Sequence, residues 1–143
     1  MFNTDNVSIR GYGLTLLRIV IGTIFLAHGW QKLFVMGIPG VTGFFTQIGI
    51  PAPALSAGLV ATVEVVGGLA LIVGIFTTIA GIALAVDMAG AILFVKLGGG
   101  LFAPKGYELE LTLLVASLAI ALSGPGPFAA AGWLRGRRSQ ERA

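Results

Sequence analysis

Four apolar runs decide what this chain can become. They extend over about 11–34, 54–76, 78–97 and 107–123. A hydrocarbon core of roughly 30 Å asks for about 20 helical residues. The first three runs reach that length. The fourth has 17 residues and is stopped by Gly124-Pro125-Gly126-Pro127, yet it stays within the accepted range. Barrel strands would be about 10 residues long with strict alternation, which these runs lack. The sequence therefore predicts an all-α, polytopic membrane protein. It reads as one four-transmembrane-helix bundle over 1–143, with a basic tail at 134–143.

Composition supports this reading. Hydrophobic residues make up 56% of the 143 positions and charged residues only 10%, against about 25% charged in a soluble domain. Such a chain cannot cover itself with polar groups in water. The absence of cysteine excludes a disulfide scaffold and a thiol redox centre. The net charge of +3 is spread along the chain, and its one basic cluster is the tail. That pattern predicts the lipid bilayer as partner, not nucleic acid. The first run is not expected to be a cleaved signal. Arg18 interrupts its core, and no A-x-A site follows.

Four helices put both termini on one side. That side holds Arg10, Arg135, Arg137, Arg138 and Arg142, and the opposite side holds Lys32, Lys96 and Lys105. The positive-inside rule then predicts cytoplasmic termini. The second and third runs are joined by a few residues, so these helices must be antiparallel neighbours. Thr77 or Thr78 is a candidate cap for the third run. The first outer loop, about 35–53, has aromatics and Ile at near-helical spacing. It predicts a short interfacial helix closed by Pro51 and Pro53. The second outer loop, 98–106, reads as flexible. Each outer loop precedes a helix bearing Glu, and the helix before each loop ends near a Lys. That hints at two helix-hairpin repeats.

Ionisable groups inside a bilayer are costly and are candidate functional groups by default. Helix one carries Arg18, His28 and Lys32. At about 100° per residue these fall within roughly 80° of one another, together with Phe25. Glu64 and Asp87 sit near the midplane, in the second and third runs. Glu64 shares a face with Gly67, Gly68 and Leu71, where small residues bring another helix close. Gly81, Ala85 and Ala89 form a second close-packing stripe, and Asp87 is offset from it. Glu108 and Glu110 open the fourth run and lie about 200° apart, so only one can face the bundle centre. Two readings stay open for this set. The charges are fold-specifying ion pairs, or they line a polar pocket that opens outward. Snorkelling at the boundary is an alternative for Lys32 and the preferred reading for Lys96. Trp30 and Trp133 read as interfacial belt residues.

The residues exclude several chemistries. One histidine cannot make a bis-histidine haem, and the Glu-x-x-His pairs of a di-iron bundle are missing. No catalytic triad, P-loop or dinucleotide fingerprint is present. No metal site and no intrinsic cofactor is expected.

Several blocks resemble the DoxX family. Leu16-Leu-Arg18-Ile-Val-Ile-Gly22 and Ala27-His28-Gly29-Trp30-Gln31-Lys32-Leu33 resemble its first helix. Gly49-Ile-Pro51-Ala-Pro53-Ala and Val63-Glu64-Val-Val-Gly67-Gly68 resemble its second. Gly106-Tyr107-Glu108-Leu-Glu110-Leu and Ser123-Gly124-Pro125-Gly126 resemble the two ends of its fourth. By that resemblance Arg18, His28, Lys32, Glu64, Glu108 and Glu110 occupy family motif positions, while Asp87 is assigned from burial alone. The resemblance implies an accessory or small subunit of a quinone-linked membrane oxidoreductase or redox-stress complex. Such a chain would not be catalytic alone, would work with a redox partner subunit and would take a quinone as its one candidate cofactor. The alternative is a small transporter or membrane-assembly module acting as a homo-oligomer.

Overall fold

The computed structural model describes residues 5–134, with side chains from residue 9 onward. The basic tail, with Arg135, Arg137, Arg138 and Arg142, lies outside the described residues. The described chain holds the α-helices α1 (Asp5–Trp30), α2 (Gly37–Gln47), α3 (Pro53–Val73), α4 (Thr77–Ala91) and α5 (Glu108–Ser123), and residues 130–134 are helical as well. A π-helical stretch, Gln31–Met36, continues α1, and another, Ile92–Lys96, continues α4. Three helical segments are long and apolar enough to cross a membrane: Ile9–Gln47, Pro53–Val73 and Thr77–Gly99. At 16 residues, α5 spans about 24 Å. The fold is thus an all-α membrane fold with three spans that meet the length criterion, where the sequence reading expected four.

Two close helix pairs build the bundle. Helix α1 crosses α3 where Gly22 and Gly68 face each other. A Cβ on Gly22 would lie 2.6 Å from the Gly68 carbonyl oxygen, and one on Gly68 2.7 Å from that of Gly22. Helix α4 crosses α5 at Gly81, whose added Cβ would lie 2.6 Å from the Ser117 carbonyl oxygen. Backbones approach this closely only where side chains are missing. Between the pairs lies the apolar core of Ile21, Phe25, Leu71, Leu84, Met88, Leu113 and Ile120. Outward faces carry exposed Leu, Ile, Val and Phe, as lipid contact requires.

The chain reverses between α3 and α4 over Gly74–Phe76. Gly74 and Phe76 both adopt left-handed conformations, at φ 82° and φ 47°. Neither threonine caps α4. Its N-cap is Phe76, without a side-chain cap bond, and Thr78 Oγ1 instead donates to the Ala121 carbonyl on α5 at 3.2 Å. The turn is too tight to place a hydroxyl ahead of the first helical N–H groups. The first outer loop holds α2, which begins at Gly37 and so precedes the aromatic stretch that suggested it. Gly37 breaks the helix at φ 72°, and Pro39 falls in the first turn, where its missing N–H costs nothing. Helix α2 buries Val41 and Phe45 against Ala57 of α3.

The second loop is more ordered than its glycines suggested. Tyr107 N–H donates to the Gly100 carbonyl at 3.0 Å, and Glu108 N–H to that of Leu101 at 2.9 Å. Gly106 permits the close return, because a Cβ there would strike the Leu101 backbone. At the other end of the bundle, Tyr12 stacks on Phe128 at 4.7 Å. The described chain therefore begins and ends at the same end, opposite the two loops.

Candidate functional site: a charged cavity at the loop end

A cavity of about 440 Å³ lies between α1, α3, α4 and α5 at the loop end, with α2 against it. Phe25, Phe44, Phe45 and Phe94 are among its apolar lining, and His28, Lys32, Ser56, Glu64, Asp87, Lys96 and Glu110 are its polar lining. This size lies in the range that holds a small organic ligand.

The deepest polar contact is an ion pair. Lys32 Nζ donates to both oxygens of Glu64, at 2.9 and 2.7 Å. Glu64 is only 2% exposed. Its place follows from the sequence: Gly67 and Gly68 clear space on the same face of α3, and Gly29 of α1 lies against Glu64 Cβ and Val65. Lys32 reaches it from the first turn of the π-helical stretch. A π-helical stretch changes the angular spacing of the side chains beyond it. Asp87 on α4 lies against Glu64 and within electrostatic reach of Lys32, and its Oδ2 is buried without a hydrogen-bond partner. Lys96, at the end of the second π-helical stretch, stands 3.7 Å from Glu110 Oε1. It also donates to the Pro104 carbonyl at 3.4 Å. Glu110 Oε2 is buried and unpartnered. His28 lines the cavity, half-buried, with no side-chain hydrogen bond among the described residues.

Five of the seven sequence-selected residues therefore meet here: His28, Lys32, Glu64, Asp87 and Glu110. Glu108 does not. Its Oε1 accepts the Ala103 N–H at 2.9 Å and braces the second loop. Arg18 does not join the carboxylates either. It is 1% exposed at the terminus end. Its guanidinium donates to the carbonyls of Leu71 at 2.9 Å, Ile72 at 3.4 Å and Phe128 at 3.2 Å. Leu71 and Ile72 belong to the last turn of α3, whose carbonyls have no intrahelical donor. Gly74 makes room for the guanidinium, since a Cβ there would overlap Arg18 Nη1. Arg18 shares the helix face of Lys32, but 14 residues, or about 21 Å along a helix, separate them. Lys96, read from the sequence as a boundary residue, also lines the cavity beside Glu110. The signal for it was the parallel with Lys32, each near the end of the helix before a loop. Among the described residues, no group of three His, Asp or Glu side chains is arranged to hold a metal ion.

Residues 13–97 match the model of the DoxX family. This chain belongs to the DoxX family. Curated relatives agree along most of its length. The Bacillus subtilis protein named "Putative oxidoreductase CatD" is 36% identical over 112 residues, 78% of this chain and 79% of its own. The Mycobacterium tuberculosis protein named "Uncharacterized membrane protein Rv3486" is 33% identical over 138 residues, 89% of this chain and 81% of its own. The Escherichia coli "Inner membrane protein YphA" is 25% identical over 127 residues, 79% and 84% of the two chains. No solved structure matches. With its long apolar helices, this DoxX chain is a multi-pass membrane protein.

Proposed function

We propose that this DoxX protein is a small, accessory subunit of a quinone-linked oxidoreductase in the inner membrane, holding a quinone-type ring in the loop-end cavity. The carrying observation is the cavity itself: aromatic and aliphatic walls with polar groups gathered at His28, the Lys32–Glu64 pair and Asp87. A ring with two oxygen functions suits such walls, and about 440 Å³ accommodates a head group of that size. The name of the Bacillus subtilis relative supports an oxidoreductase setting. The bound ring would supply two-electron redox chemistry, with electrons exchanged through a partner subunit. The chain's own residues bind and orient it. His28 offers a hydrogen bond to one ring oxygen, Lys32 fixes Glu64, and Asp87 is placed to hold or release a proton. In this reading α5 is a fourth span and both termini face the cytoplasm.

The test begins with gentle extraction from native membranes, followed by native mass spectrometry and quantitation of co-purified quinone. A stoichiometric quinone together with a redox-active partner is the expected result. Glu64→Gln and Asp87→Asn are expected to lower the bound quinone. A bare homo-oligomer free of quinone would overturn the assignment and favour transport or assembly.

A further inference from the structure

Three helix ends meet at the terminus end of the bundle, and they are not served alike. At the C-terminus of α3, the Leu71 and Ile72 carbonyls accept from Arg18. The Gly74 carbonyl just beyond accepts the Ala131 N–H at 3.3 Å. At the C-terminus of α5, the Ala121 carbonyl accepts the Thr78 hydroxyl, and the Ile120 carbonyl accepts the Gly124 N–H. The N-terminus of α4 stands open between them. No side chain caps it. Its first backbone bond runs from the Ala80 N–H to the Phe76 carbonyl. The N–H groups of Thr77, Thr78 and Ile79 therefore have no acceptor among the described residues.

These three residues line a second cavity, of about 470 Å³, between the α3–α4 turn and the segment that carries Pro125, Ala131 and Leu134. Thr77 is an independent sign that this cavity takes a ligand. Its side chain lines the cavity while the residue is only 3% exposed. Its hydroxyl has no hydrogen-bond partner among the described residues, and leaving a buried hydroxyl unpaired is costly. Three N–H groups and a hydroxyl are all donors, and the N-terminus of a helix carries partial positive charge. The ligand that completes them is an anion, and phosphate oxygens suit such an end.

Charge and depth narrow the source. The carboxylates among the described side chains, Glu64, Asp87, Glu108 and Glu110, all belong to the loop end. Arg18 lies under the same turn, against Gly74, and its partners are carbonyls. The sequence adds Arg135, Arg137, Arg138 and Arg142 soon after Leu134, with Glu141 the one acid among them. Tyr12, Phe76, Phe128 and Trp133 are exposed at this end, as aromatic residues are at the head-group level of a bilayer. Ile79 and Ile82 are exposed on the outer face of α4 below the cavity, where acyl chains can lie.

We propose that the cavity at the terminus end binds the phosphate head group of an anionic phospholipid, held by the Thr77, Thr78 and Ile79 N–H groups and the Thr77 hydroxyl. The lipid caps α4, which no side chain of the chain does. The site is separate from the loop-end cavity and does not rest on the quinone reading.

The test uses the full chain in detergent, titrated with phosphatidylglycerol or phosphatidylcholine and read by native mass spectrometry. Phosphatidylglycerol is expected to bind roughly tenfold more tightly, because the surround is positive. Thr77→Val removes the hydroxyl and keeps the shape, and it is expected to weaken phosphatidylglycerol binding roughly tenfold. Ile79→Asp puts a carboxylate in the first turn of α4, where the helix favours it and where it competes for the same N–H groups. It is expected to abolish the preference without lowering the melting temperature. Gly13→Asp adds the same charge on α1 at the same end, at a position with open space around its Cβ, and leaves the preference in place. Equal binding of the two lipids by the unaltered protein overturns the proposal. A preference that survives both Thr77→Val and Ile79→Asp belongs to the arginine tail and overturns the site. Loss in Gly13→Asp as large as in Ile79→Asp overturns it too, since charge alone would then decide. Displacement of phosphatidylglycerol by inorganic phosphate at the same concentration assigns the site to free phosphate and overturns the lipid. Resistance to that displacement supports it.

Discussion

In the first helical hairpin, α1 against α3, Lys32 reaches both oxygens of a glutamate that is 2% exposed. In the second, α4 against α5, Lys96 approaches one oxygen of Glu110 at 3.7 Å, and the two side chains are 28% and 15% exposed. The plan is otherwise shared. Each hairpin has a leading helix that ends in a π-helical stretch carrying Lys, a loop, and a following helix with Glu. The difference follows from where the glutamate falls. Glu64 lies 11 residues beyond the start of α3 and Glu110 two beyond the start of α5, which is about 16 Å against about 3 Å of depth. A deep carboxylate must be paired closely. A carboxylate in the first turn has the positive end of the helix to support it. One chemical pair thus serves as a fixed strut in one hairpin and as an adjustable contact in the other.

The sharpest way to break this comparison is to remove one partner of the strut. Lys32→Met leaves Glu64 buried without its cation. The expected loss is about 3–5 kcal/mol of unfolding free energy, read by thermal or denaturant unfolding in detergent. Lys32→Met with Glu64→Met removes both charges and recovers most of it. If the single variant unfolds like the parent, the pair is no strut. Next in size is Arg18, which ties the ends of the two hairpins together far from the cavity. Arg18→Met strands the carbonyls of Leu71, Ile72 and Phe128 and costs about 2–3 kcal/mol. Quinone binding by the folded fraction is expected to remain as in the parent, because the residue serves the terminus end.

The fate of Arg18 also shows what the sequence could and could not convey. Composition and run length fixed the membrane setting and the helical class, since both are properties of the chain alone. Helical phase placed His28 and Lys32 on one face of α1, and the glycines beside Glu64 marked the close crossing. Phase also put Arg18 on that face, and there it misled. Height along the helix decides partners as much as angle does, and the acceptors of Arg18 are backbone carbonyls, which no side-chain pattern advertises. The choice between Glu108 and Glu110 needed the fold of the 98–106 loop, because Glu108 is turned outward by its bond to Ala103. The contact of Lys96 with Glu110 was not legible either, because the two stand 14 residues apart across that same loop.

The glycine crossings sharpen the comparison at a middle scale. Gly22→Ala pushes a methyl against the Gly68 carbonyl and the Ile72 backbone, and Gly81→Ala pushes one against the Ser117 carbonyl and Ala121. Neither backbone can yield without moving a helix, so each change costs about 1–3 kcal/mol. Gly90, whose Cβ would meet nothing within 4 Å, is the control. Gly90→Ala is neutral or stabilising by up to about 1 kcal/mol. If Gly22→Ala behaves like Gly90→Ala, the hairpins are not held by backbone contact.

The smallest effect belongs to the loose pair. At 3.7 Å, with both side chains partly reached by solvent, Lys96 and Glu110 form a contact of the exposed kind, which contributes about 0–1 kcal/mol. Glu110→Gln therefore changes unfolding free energy by less than about 1 kcal/mol, several times less than Lys32→Met. Added salt narrows even that difference, because exposed pairs are screened within roughly a Debye length, while the Lys32→Met loss persists at high salt. Measuring both variants at two ionic strengths separates the two kinds of pair. If Glu110→Gln lost as much as Lys32→Met, the second pair would be a strut as well. Glu110 would then be committed to Lys96, so this weak pair decides whether the cavity keeps an adjustable side.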